Sequence, residues 1–460
     1  MLDSIYIRNF KAFSGEHPFK LAPLTFVVGA NSTGKSTILQ SLLVLRQSWR
    51  EFDDLPLDLR TEGALTSLGR PRNVVSGQQQ DVLELGFGMP GASVVFGYDF
   101  TGSSLEARGQ ALTHVRLGKP TDATFLRADV DCAQDAQFTL LVHDARRDGA
   151  REITQSGAED SRRVLRYTLS EGQWSTPDRH NANPLIRDAI KQHVDNARRA
   201  LNEVQYVGPL RATAQRHYSV RKRTGPRVGV TGDRFVSLLL HSPEVLKRVN
   251  DALRGLELPY VVDVLDLGGT APLGELQLRV LTPDYRERSE PLVVGLPDVG
   301  CGLSQLLPVL TQLAAAEADR ETKDKAFGHT VLLEQPELHL HPRAQVQLGS
   351  FFAELVSRDR QRASYPEEGA ANREDSSGQD TRTMALRRRN QIICETHSEH
   401  LINQVRGEVA HGRIQARDVT FLNVHQRHGA PEVTEIPLSS TGEFQEVWPD
   451  GFFATSGRRT

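Results

Sequence analysis

The sequence Gly29-Ala-Asn-Ser-Thr-Gly-Lys-Ser36 decides the fold of this chain, because of the segments on either side of it. Before it, Leu24-Thr-Phe-Val-Val28 is an apolar run that is typical of a buried strand. After it, residues 37–45 carry apolar side chains at the spacing of one helix face. A strand, a loop of the pattern Gly-x-x-x-x-Gly-Lys-Ser and a helix together predict a loop that binds phosphate groups. The alternative is a chance match in a loop rich in glycine and serine, and the flanking elements disfavour it.

Each residue type in this loop has a chemical role. The backbone N–H groups and the helix N-terminus surround phosphate groups with partial positive charge. We expect the Lys35 ammonium to contact the β- and γ-phosphates of ATP and the Ser36 hydroxyl to bind Mg²⁺. The residues predicted to bind the nucleotide here are Gly29, Asn31, Ser32, Thr33, Gly34, Lys35, Ser36 and Thr37.

Two later segments place polar side chains directly after apolar, strand-like runs. Glu334 follows Thr330-Val-Leu-Leu333, where a carboxylate can orient Mg²⁺ and its waters. His397 follows a second such run, Gln391-Ile-Ile-Cys394, where an imidazole can contact the γ-phosphate or the attacking water. A lone histidine at such a position is more often structural, but three strand-end polar clusters in this order favour the functional interpretation.

In this combination the chain resembles the SMC/RecF/OLD-type branch of the ABC ATPases. It is most similar to stand-alone bacterial OLD-like AAA ATPases that lack a nuclease domain. The resemblance covers about residues 1–90 and 200–455. The motifs that carry it are the phosphate-binding loop, Glu-Gln-Pro-Glu-Leu-His-Leu-His-Pro at 334–342, Glu-Thr-His-Ser-Glu-His at 395–400, Val-Gly-Pro-Leu-Arg at 207–211 and Trp-Pro-Asp-Gly-Phe-Phe at 448–453.

The resemblance implies an α/β fold. Its core is an ABC-type P-loop NTPase with a mixed sheet and flanking helices, joined by a β-rich N-terminal lobe and an inserted α+β region. The predicted divisions are lobe I with the Walker A loop (1–142), an inserted linker and helical region (143–227), lobe II with the signature and Walker B segments (228–357), a disordered insertion (358–390) and the remainder of lobe II with the His397 switch and the C-terminal tail (391–460).

One departure from the family pattern bears on catalysis. Relatives carry Asp-Glu at the end of the Walker B strand, whereas this chain carries Glu334-Gln335. A glutamine amide cannot accept a proton, and losing a general base costs about 10²–10⁴ in rate. Either hydrolysis is slow and ATP acts mainly as a switch, or another group is the base. Glu337 is the leading candidate for that base, and His397 is a candidate for positioning the water.

The resemblance also implies a signature loop that contacts the ATP of a partner subunit. The matching segment is Asp298-Val-Gly-Cys-Gly-Leu-Ser-Gln305, which has Gly300 where the family has serine and Gly302 where it has glycine. Small residues before a helix allow close approach of a γ-phosphate, although a plain entry into a helix is the alternative. A head-to-tail homodimer that encloses two ATP molecules is therefore expected.

Composition limits the setting in which the chain works. It has 460 residues, a formal net charge of -3 and three cysteines without metal-ligand spacing, Cys132, Cys301 and Cys394. The N-terminus lacks the apolar core of a signal peptide, and no run approaches the roughly 18 apolar residues of a membrane span. We expect a soluble, cytoplasmic protein with ATP and Mg²⁺ as cofactors and no membrane partner.

Three functions remain compatible with these motifs. The first is an ATP-gated regulator in antiphage or genome defence that works with a separate effector such as a nuclease, since residues 398–460 contain no dense acidic metal cluster. The second is a RecF-like ATPase that binds DNA in repair, for which the basic run from Arg211 to Arg227 could contact phosphates. That run is equally compatible with a solvated loop. A transporter subunit, the third, is disfavoured by the long span between the phosphate-binding loop and the signature segment.

Overall fold

The structure is a computed structural model. It describes residues 1–50, 57–59, 65–70, 73–76, 82–90, 92–99, 111–118, 124–131, 137–144, 150–156, 193, 195–220, 225–268, 273–281, 292–322, 327–363 and 389–448.

Strands and helices are numbered here in chain order. The strands are β1 (Ser4–Phe10), β2 (Phe13–Lys20), β3 (Leu24–Val28), β4 (Leu83–Met89), β5 (Ala92–Asp99), β6 (Ala111–Leu117), β7 (Thr124–Asp131), β8 (Gln137–Asp144), β9 (Ala150–Ser156), β10 (Val204–Val207), β11 (Tyr218–Ser219), β12 (Tyr260–Gly268), β13 (Leu273–Val280), β14 (Val293–Gly295), β15 (Thr330–Glu334), β16 (Gln391–Glu395), β17 (Val419–Arg427) and β18 (Ala430–Pro437). The helices are α1 (Lys35–Arg50), α2 (Phe235–His241), α3 (Pro243–Gly255), α4 (Cys301–Thr322), α5 (Pro342–Ala363) and α6 (Glu399–Ala410).

The centre of the molecule is a six-stranded sheet in the order β10-β15-β16-β3-β17-β18. Its first five strands run parallel, and only β18 runs antiparallel to its neighbour. Every residue of β3, β15 and β16 is buried, which is why these strands read as continuous apolar runs rather than alternating ones. The strands predicted from those runs are confirmed.

Helix α1 lies between this central sheet and a second sheet of eight antiparallel strands, in the order β2-β1-β4-β5-β6-β7-β8-β9. One hydrophobic core joins the three layers, with Val27 and Leu332 from the central sheet, Leu42 from α1, and Ile7 and Leu85 from the second sheet. The apolar face of α1 that the sequence predicts is therefore buried on both sides. The β-rich N-terminal lobe is confirmed.

Helices cover the opposite face of the central sheet. A second core packs Phe26 and Leu333 of the sheet against Leu306 of α4, Phe352 of α5 and Leu401 of α6. A small sheet of β11, β13 and β12, with β14 paired to β13, packs against α2 and α3. The α/β class, the mixed sheet and the additional α+β region agree with the prediction. None of the helices described is both long and apolar enough to cross a membrane.

Two elements fall differently from the predicted divisions. The second sheet continues through β9 to Ser156, past the boundary placed at residue 142, because β9 pairs with β8. Strand β10 lies in the central sheet rather than in a linker, because it pairs with β15. Residues 195–202 are helical, within the region that the sequence predicts to be a linker with helices, and residues 157–192 lie outside the described part of the chain.

The structure describes the two ends of the segment 358–390, which the sequence predicts to be a disordered insertion. Helix α5 continues to Ala363, and residues 364–388 lie outside the described residues. Arg389, the next residue described, is buried and donates to the Asp418 carboxylate at 3.3 Å. Asp418 also accepts a hydrogen bond from Arg360 at 2.9 Å. These ion pairs fix Arg389, two residues before β16 begins.

A buried histidine lies at the start of β15, at the edge of the sheet where the parallel strands begin. The two ring nitrogens of His329 lie 2.8 Å from a Glu203 carboxylate oxygen and 3.1 Å from an Asp319 carboxylate oxygen. Because the carboxylates face opposite nitrogens of one ring, they suit a polar tie between three elements better than a shared metal ion. The tie joins β15 to the segment before β10 and to the end of α4.

Gly29 is expected to tolerate no side chain, because its φ is +139° and a Cβ there would lie 2.0 Å from the Val424 carbonyl oxygen of β17. Gly29→Ala should lower the free energy of unfolding by about 3 kcal/mol or more, through backbone strain and overpacking. Urea denaturation of the purified protein measures this.

Gly407→Ala is the matched control for that substitution. Gly407 lies in α6, and nothing lies within 4 Å of a Cβ placed on it. Alanine in a helix interior should raise stability by about 0.5–1 kcal/mol. If Gly29→Ala and Gly407→Ala changed the free energy of unfolding equally, the close approach of β17 to the phosphate-binding loop would be contradicted.

Candidate active site

The phosphate-binding loop connects β3 to α1 by a tightly folded backbone. Gly29 and Gly34 have φ values of +139° and +107°, and Ser32 adopts +62°. The Thr33 hydroxyl and the Lys35 ammonium both donate to the Ala30 carbonyl, at 3.0 and 2.5 Å. The backbone thus forms the closed loop that the sequence predicts, with the lysine side chain drawn into it.

Lys35 is buried in this loop, and the burial lowers the pKa of its ammonium while the Glu395 charge opposes that shift. A buried cation needs a nearby anion to offset its lost hydration. Lys35 therefore lies where a phosphate group would be stabilised by a cation that water screens poorly.

The strand order places two carboxylates side by side next to this loop. β16 lies between β15 and β3, and its last residue Glu395 is in register with Glu334 of β15 and Val27 of β3. Neighbouring parallel strands lie about 4.8 Å apart, and residues in register point to the same face. The Ser36 hydroxyl donates to Glu395 Oε2 at 2.8 Å. The carboxylate that contacts the predicted metal-binding serine is therefore Glu395.

Glu334, predicted as the metal ligand, is buried one strand further from the loop. Its Oε1 accepts a hydrogen bond from the Tyr206 hydroxyl at 2.8 Å. Burial and the charge of Glu395 raise its pKa to about 7, against the smaller opposing effects of the Tyr206 hydrogen bond and the Arg211 charge. Burial also raises the pKa of Glu395, opposed by the Ser36 hydrogen bond and Lys35.

Arg211 follows β10 in the chain and is buried. Its guanidinium donates to the carbonyl of Glu334 at 2.7 Å and to the carbonyl of Gln335 at 3.3 Å. Burial lowers its pKa to about 10, and the acidic side chains around it oppose that shift. Arg211, which the sequence places at the start of a basic run, is thus bonded to the Walker B turn.

Gln335 begins a sharp turn at the end of β15. Its φ is +46°, a left-handed conformation that non-glycine residues adopt at a cost, and its N–H donates to the Glu395 carbonyl at 2.8 Å. His339, four residues on, is also left-handed at +61°. The turn therefore directs the chain away from the sheet immediately after the Walker B carboxylate.

Glu337 lies within that turn and is buried. One of its carboxylate oxygens accepts the backbone N–H of His397 at 2.8 Å, and the other has no hydrogen-bond partner. Burial raises its pKa, while the hydrogen bond from the His397 N–H opposes that shift. Glu337 thus joins the Walker B turn to the His397 loop and retains one oxygen that can accept a proton.

His397 is half-buried on the segment between β16 and α6. Burial and the Lys35 charge lower the pKa of its imidazole, so the side chain is near Lys35 and favours the neutral form. Ser398, the next residue, accepts from the Leu401 N–H at 3.0 Å and thereby caps α6. The structure brings the His397 segment, the Walker B turn and the phosphate-binding loop to the same sheet edge.

The predicted signature glycines have different surroundings. Gly300 is exposed, and nothing lies within 4 Å of a Cβ placed on it. Gly302 lies in the first turn of α4, and its Cβ would be 2.7 Å from the His339 carbonyl oxygen. Asp298, just before them, receives two hydrogen bonds from Arg216 at 3.0 and 2.8 Å. The segment packs against the Walker B turn of its own chain and leaves Gly300 open to solvent.

The donor set suits Mg²⁺, the metal that the fold family implies. Mg²⁺ prefers oxygen ligands, usually one or two carboxylates together with substrate phosphates. The Ser36 hydroxyl and the carboxylates of Glu395 and Glu334 provide such oxygens beside the loop. The residues therefore fit the ion, which when bound neutralises phosphate charge.

Sequence reasoning gave no role to Glu395 or Tyr206. Glu395 carries the same signal as Glu334, an acidic residue that ends a buried strand, so the pattern could have found it. Tyr206 carries no such signal, because only the pairing of β10 with β15 brings its hydroxyl to Glu334.

The raised pKa of Glu334 predicts a pH-dependent stability. Its pKa of about 7 in the folded chain exceeds the ordinary value of 4.5, so the stability it confers is complete below pH 4.5 and is lost as the pH rises through 7. Between about pH 5 and 8, we expect the free energy of unfolding of the wild type to fall by about 3 kcal/mol at most relative to that of Glu334→Gln. Urea denaturation in a chelator, without nucleotide, measures this. A difference that does not change with pH would refute it.

Two parts of the chain match a known family. Residues 1–96 and 272–402 match the AAA ATPase domain family, and they include the phosphate-binding loop, Glu334 and His397. A curated relative, the OLD nuclease of Thermus scotoductus, is 23% identical over 372 residues, which are 78% of this chain and 57% of the relative. The chain thus spans little more than half the length of that relative.

Solved structures also resemble the chain at low sequence identity. The SMC head domain from Thermotoga maritima aligns with a TM-score of 0.38 and 11% identity, over 95% of this chain and 99% of that one. The recombination mediator protein RecF aligns with a TM-score of 0.30 and 8% identity, over 94% and 98%. The two matched segments therefore resemble an AAA ATPase domain, and they carry the phosphate-binding loop and both strand-end glutamates, Glu334 and Glu395.

Proposed function

We propose that the chain binds Mg²⁺·ATP at the Lys35 loop, hydrolyses it slowly, and acts as an ATP-gated dimeric switch. The observation that carries this proposal is the meeting of Lys35, Glu334 and the His397 segment at one edge of one sheet. Each group has a part: the loop holds the phosphates, the carboxylate orients Mg²⁺, and the neutral imidazole contacts the γ-phosphate or water.

Lys35→Ala tests the binding step, because it removes the cation and should abolish Mg²⁺-dependent affinity for ATP in calorimetry.

Slow hydrolysis follows from the amide at Gln335. The carboxamide cannot accept a proton from water, whereas Glu337 has a buried oxygen without a partner and a raised pKa. Glu337 is therefore the proposed general base, with His397 positioning the water.

Two isosteric variants assign the base. We expect Glu337→Gln to lower the steady-state turnover of ATP by about 10²–10⁴, because a glutamine oxygen still accepts the His397 N–H but takes no proton. Gln335→Glu should keep or raise turnover. The measurement is phosphate release under saturating Mg²⁺·ATP. Normal turnover in Glu337→Gln would move the base to another residue.

The dimer is proposed from the exposure of the signature segment. Gly300 is open to solvent at the N-terminus of the 22-residue helix α4, so the phosphate of a second copy's ATP could approach it. The Arg216–Asp298 pair and the packing of Gly302 against His339 hold the segment in place before any partner arrives. ATP would then stabilise the closed pair, and hydrolysis would release it.

Gly300→Asp tests this dimer. The new carboxylate would face the γ-phosphate of the partner's ATP, and such like-charge contacts cost several kcal/mol, so ATP-dependent dimerisation should weaken by at least about tenfold. Affinity of the single chain for Mg²⁺·ATP should not change. Light scattering after gel filtration, with and without ATP, measures the mass.

Gly225→Asp is the matched control, because Gly225 is exposed and a Cβ added to it would meet nothing within 4 Å. It should dimerise like wild type. A Gly300→Asp protein that dimerises as well as this control would exclude the proposed interface.

The biological role is proposed from the resemblance and from the curated relative, which is itself named a nuclease. We infer that the switch serves antiphage or genome defence and passes its state to a separate effector such as a nuclease. Phage plating on cells that carry this gene with its neighbours, as wild type and as Lys35→Ala, tests that role. Equal protection by both forms would reject it.

DNA binding remains the alternative, and two of its proposed contacts are already engaged. Arg211 is buried on the Walker B carbonyls, and Arg216 is paired with Asp298. Residues 221–224 of the basic run lie outside the described part of the chain. A steep fall of DNA affinity with salt would favour this reading, because displaced counterions are its signature.

A further inference from the structure

The sequence predicts Glu334 and Ser36 as the metal ligands, whereas the carboxylate that the Ser36 hydroxyl contacts is Glu395. The strand order explains its position, since β16 separates β15 from β3. Glu395 therefore ends the strand that borders the loop, and Glu334 ends the next one. A metal ion held by Ser36 meets the Glu395 carboxylate first.

The side-chain contacts agree with this order. The Ser36 hydroxyl donates to Glu395 at 2.8 Å, whereas the Glu334 carboxylate accepts from Tyr206 at 2.8 Å. Glu395 is also fixed through its backbone, because its carbonyl accepts the Gln335 N–H at 2.8 Å. Its carboxylate is thus held against Ser36, the side chain of the loop that is expected to bind Mg²⁺.

Charge gives a second reason. Glu334 and Glu395 are both buried, and adjacent buried carboxylates repel one another unless cations offset them. Arg211 and Lys35 offset part of that charge from nearby, but both direct their hydrogen bonds to backbone carbonyls and not to these two carboxylates. A divalent cation between the two carboxylates would offset their charge at the point where it is concentrated.

The residue after Glu334 gives a third reason. Gln335 is a neutral amide, so Glu334 is the carboxylate that the chain offers at the end of β15. Glu395 places a carboxylate on the neighbouring strand, in register with Glu334. The sheet edge keeps two acidic side chains, but one of them now faces Ser36.

We propose that Glu395 is a second carboxylate ligand of the Mg²⁺ site, acting with Ser36 and Glu334 to hold the ion that accompanies ATP. This inference rests on the proposed Mg²⁺·ATP binding. It assigns Glu395 to metal binding and leaves proton transfer to Glu337.

The test measures metal affinity rather than turnover. Mn²⁺ is titrated into the complex of full-length protein with a non-hydrolysable ATP analogue, and free Mn²⁺ is followed by electron paramagnetic resonance. We expect Glu395→Gln to weaken Mn²⁺ binding by about 10–100-fold, the size of effect seen when groups around a metal site are removed. Affinity for the analogue in a chelator should stay within about twofold of wild type, because the loop and Lys35 are unchanged.

Glu399→Gln is the matched control, since Glu399 is an exposed glutamate in the first turn of α6. It should bind Mn²⁺ like wild type. Urea denaturation checks that Glu395→Gln folds, and Glu395→Asp, which keeps the charge on a shorter side chain, should bind Mn²⁺ between wild type and Glu395→Gln. If both variants misfold, Ser36→Ala with Mn²⁺ and analogue still tests the site, because it should lose affinity by a similar factor.

Wild-type Mn²⁺ affinity in Glu395→Gln overturns the inference, even when turnover falls, because that pattern assigns Glu395 to proton transfer or to structure. Failure of the wild type itself to bind the analogue with Mn²⁺ refutes the proposed function instead. The two failures are therefore distinguishable.

Discussion

The parallel pairing of β16 with β15 on one side and β3 on the other is the constraint on which the site depends. It puts Glu334, Glu395 and Val27, which lies two residues before the phosphate-binding loop, in one lateral row, although they are far apart in sequence. Backbone hydrogen bonds fix this row to within a residue, because a slip by one position would turn every side chain to the opposite face. The site is therefore as precise as the sheet that carries it.

Concentrating acidic side chains at this edge has an electrostatic cost that the surrounding residues offset in different ways. Tyr206 stabilises the Glu334 carboxylate by a hydrogen bond, Ser36 does the same for Glu395, and Arg211 bonds the Glu334 backbone carbonyl. Burial nevertheless raises the pKa of both carboxyl groups. An edge whose carboxylates are only partly neutralised is well suited to attract a divalent cation, since the ion supplies the missing charge.

A short segment after β10 links the nucleotide site to the signature segment of the same chain. Arg211 holds the carbonyls at the end of β15, and five residues later Arg216 holds Asp298. Gly302 packs against the His339 carbonyl at the far end of the Walker B turn. If the Walker B turn shifted, two contacts would transmit the movement to the signature segment. One is the segment from Arg211 to Arg216, and the other is the packing of Gly302 against His339.

The sequence by itself determined the phosphate-binding loop, the buried strands that end at Glu334 and near His397, and the α/β class, because these depend on local patterns of apolar and small residues. It also located Glu337 and the glycines of the signature segment. Only the tertiary structure decided that Ser36 bonds Glu395 rather than Glu334, that Arg211 is an anchor, and that β9 and β10 belong to sheets. Those facts depend on which strands become neighbours, and strand order is set by long-range packing that leaves no trace in any one segment.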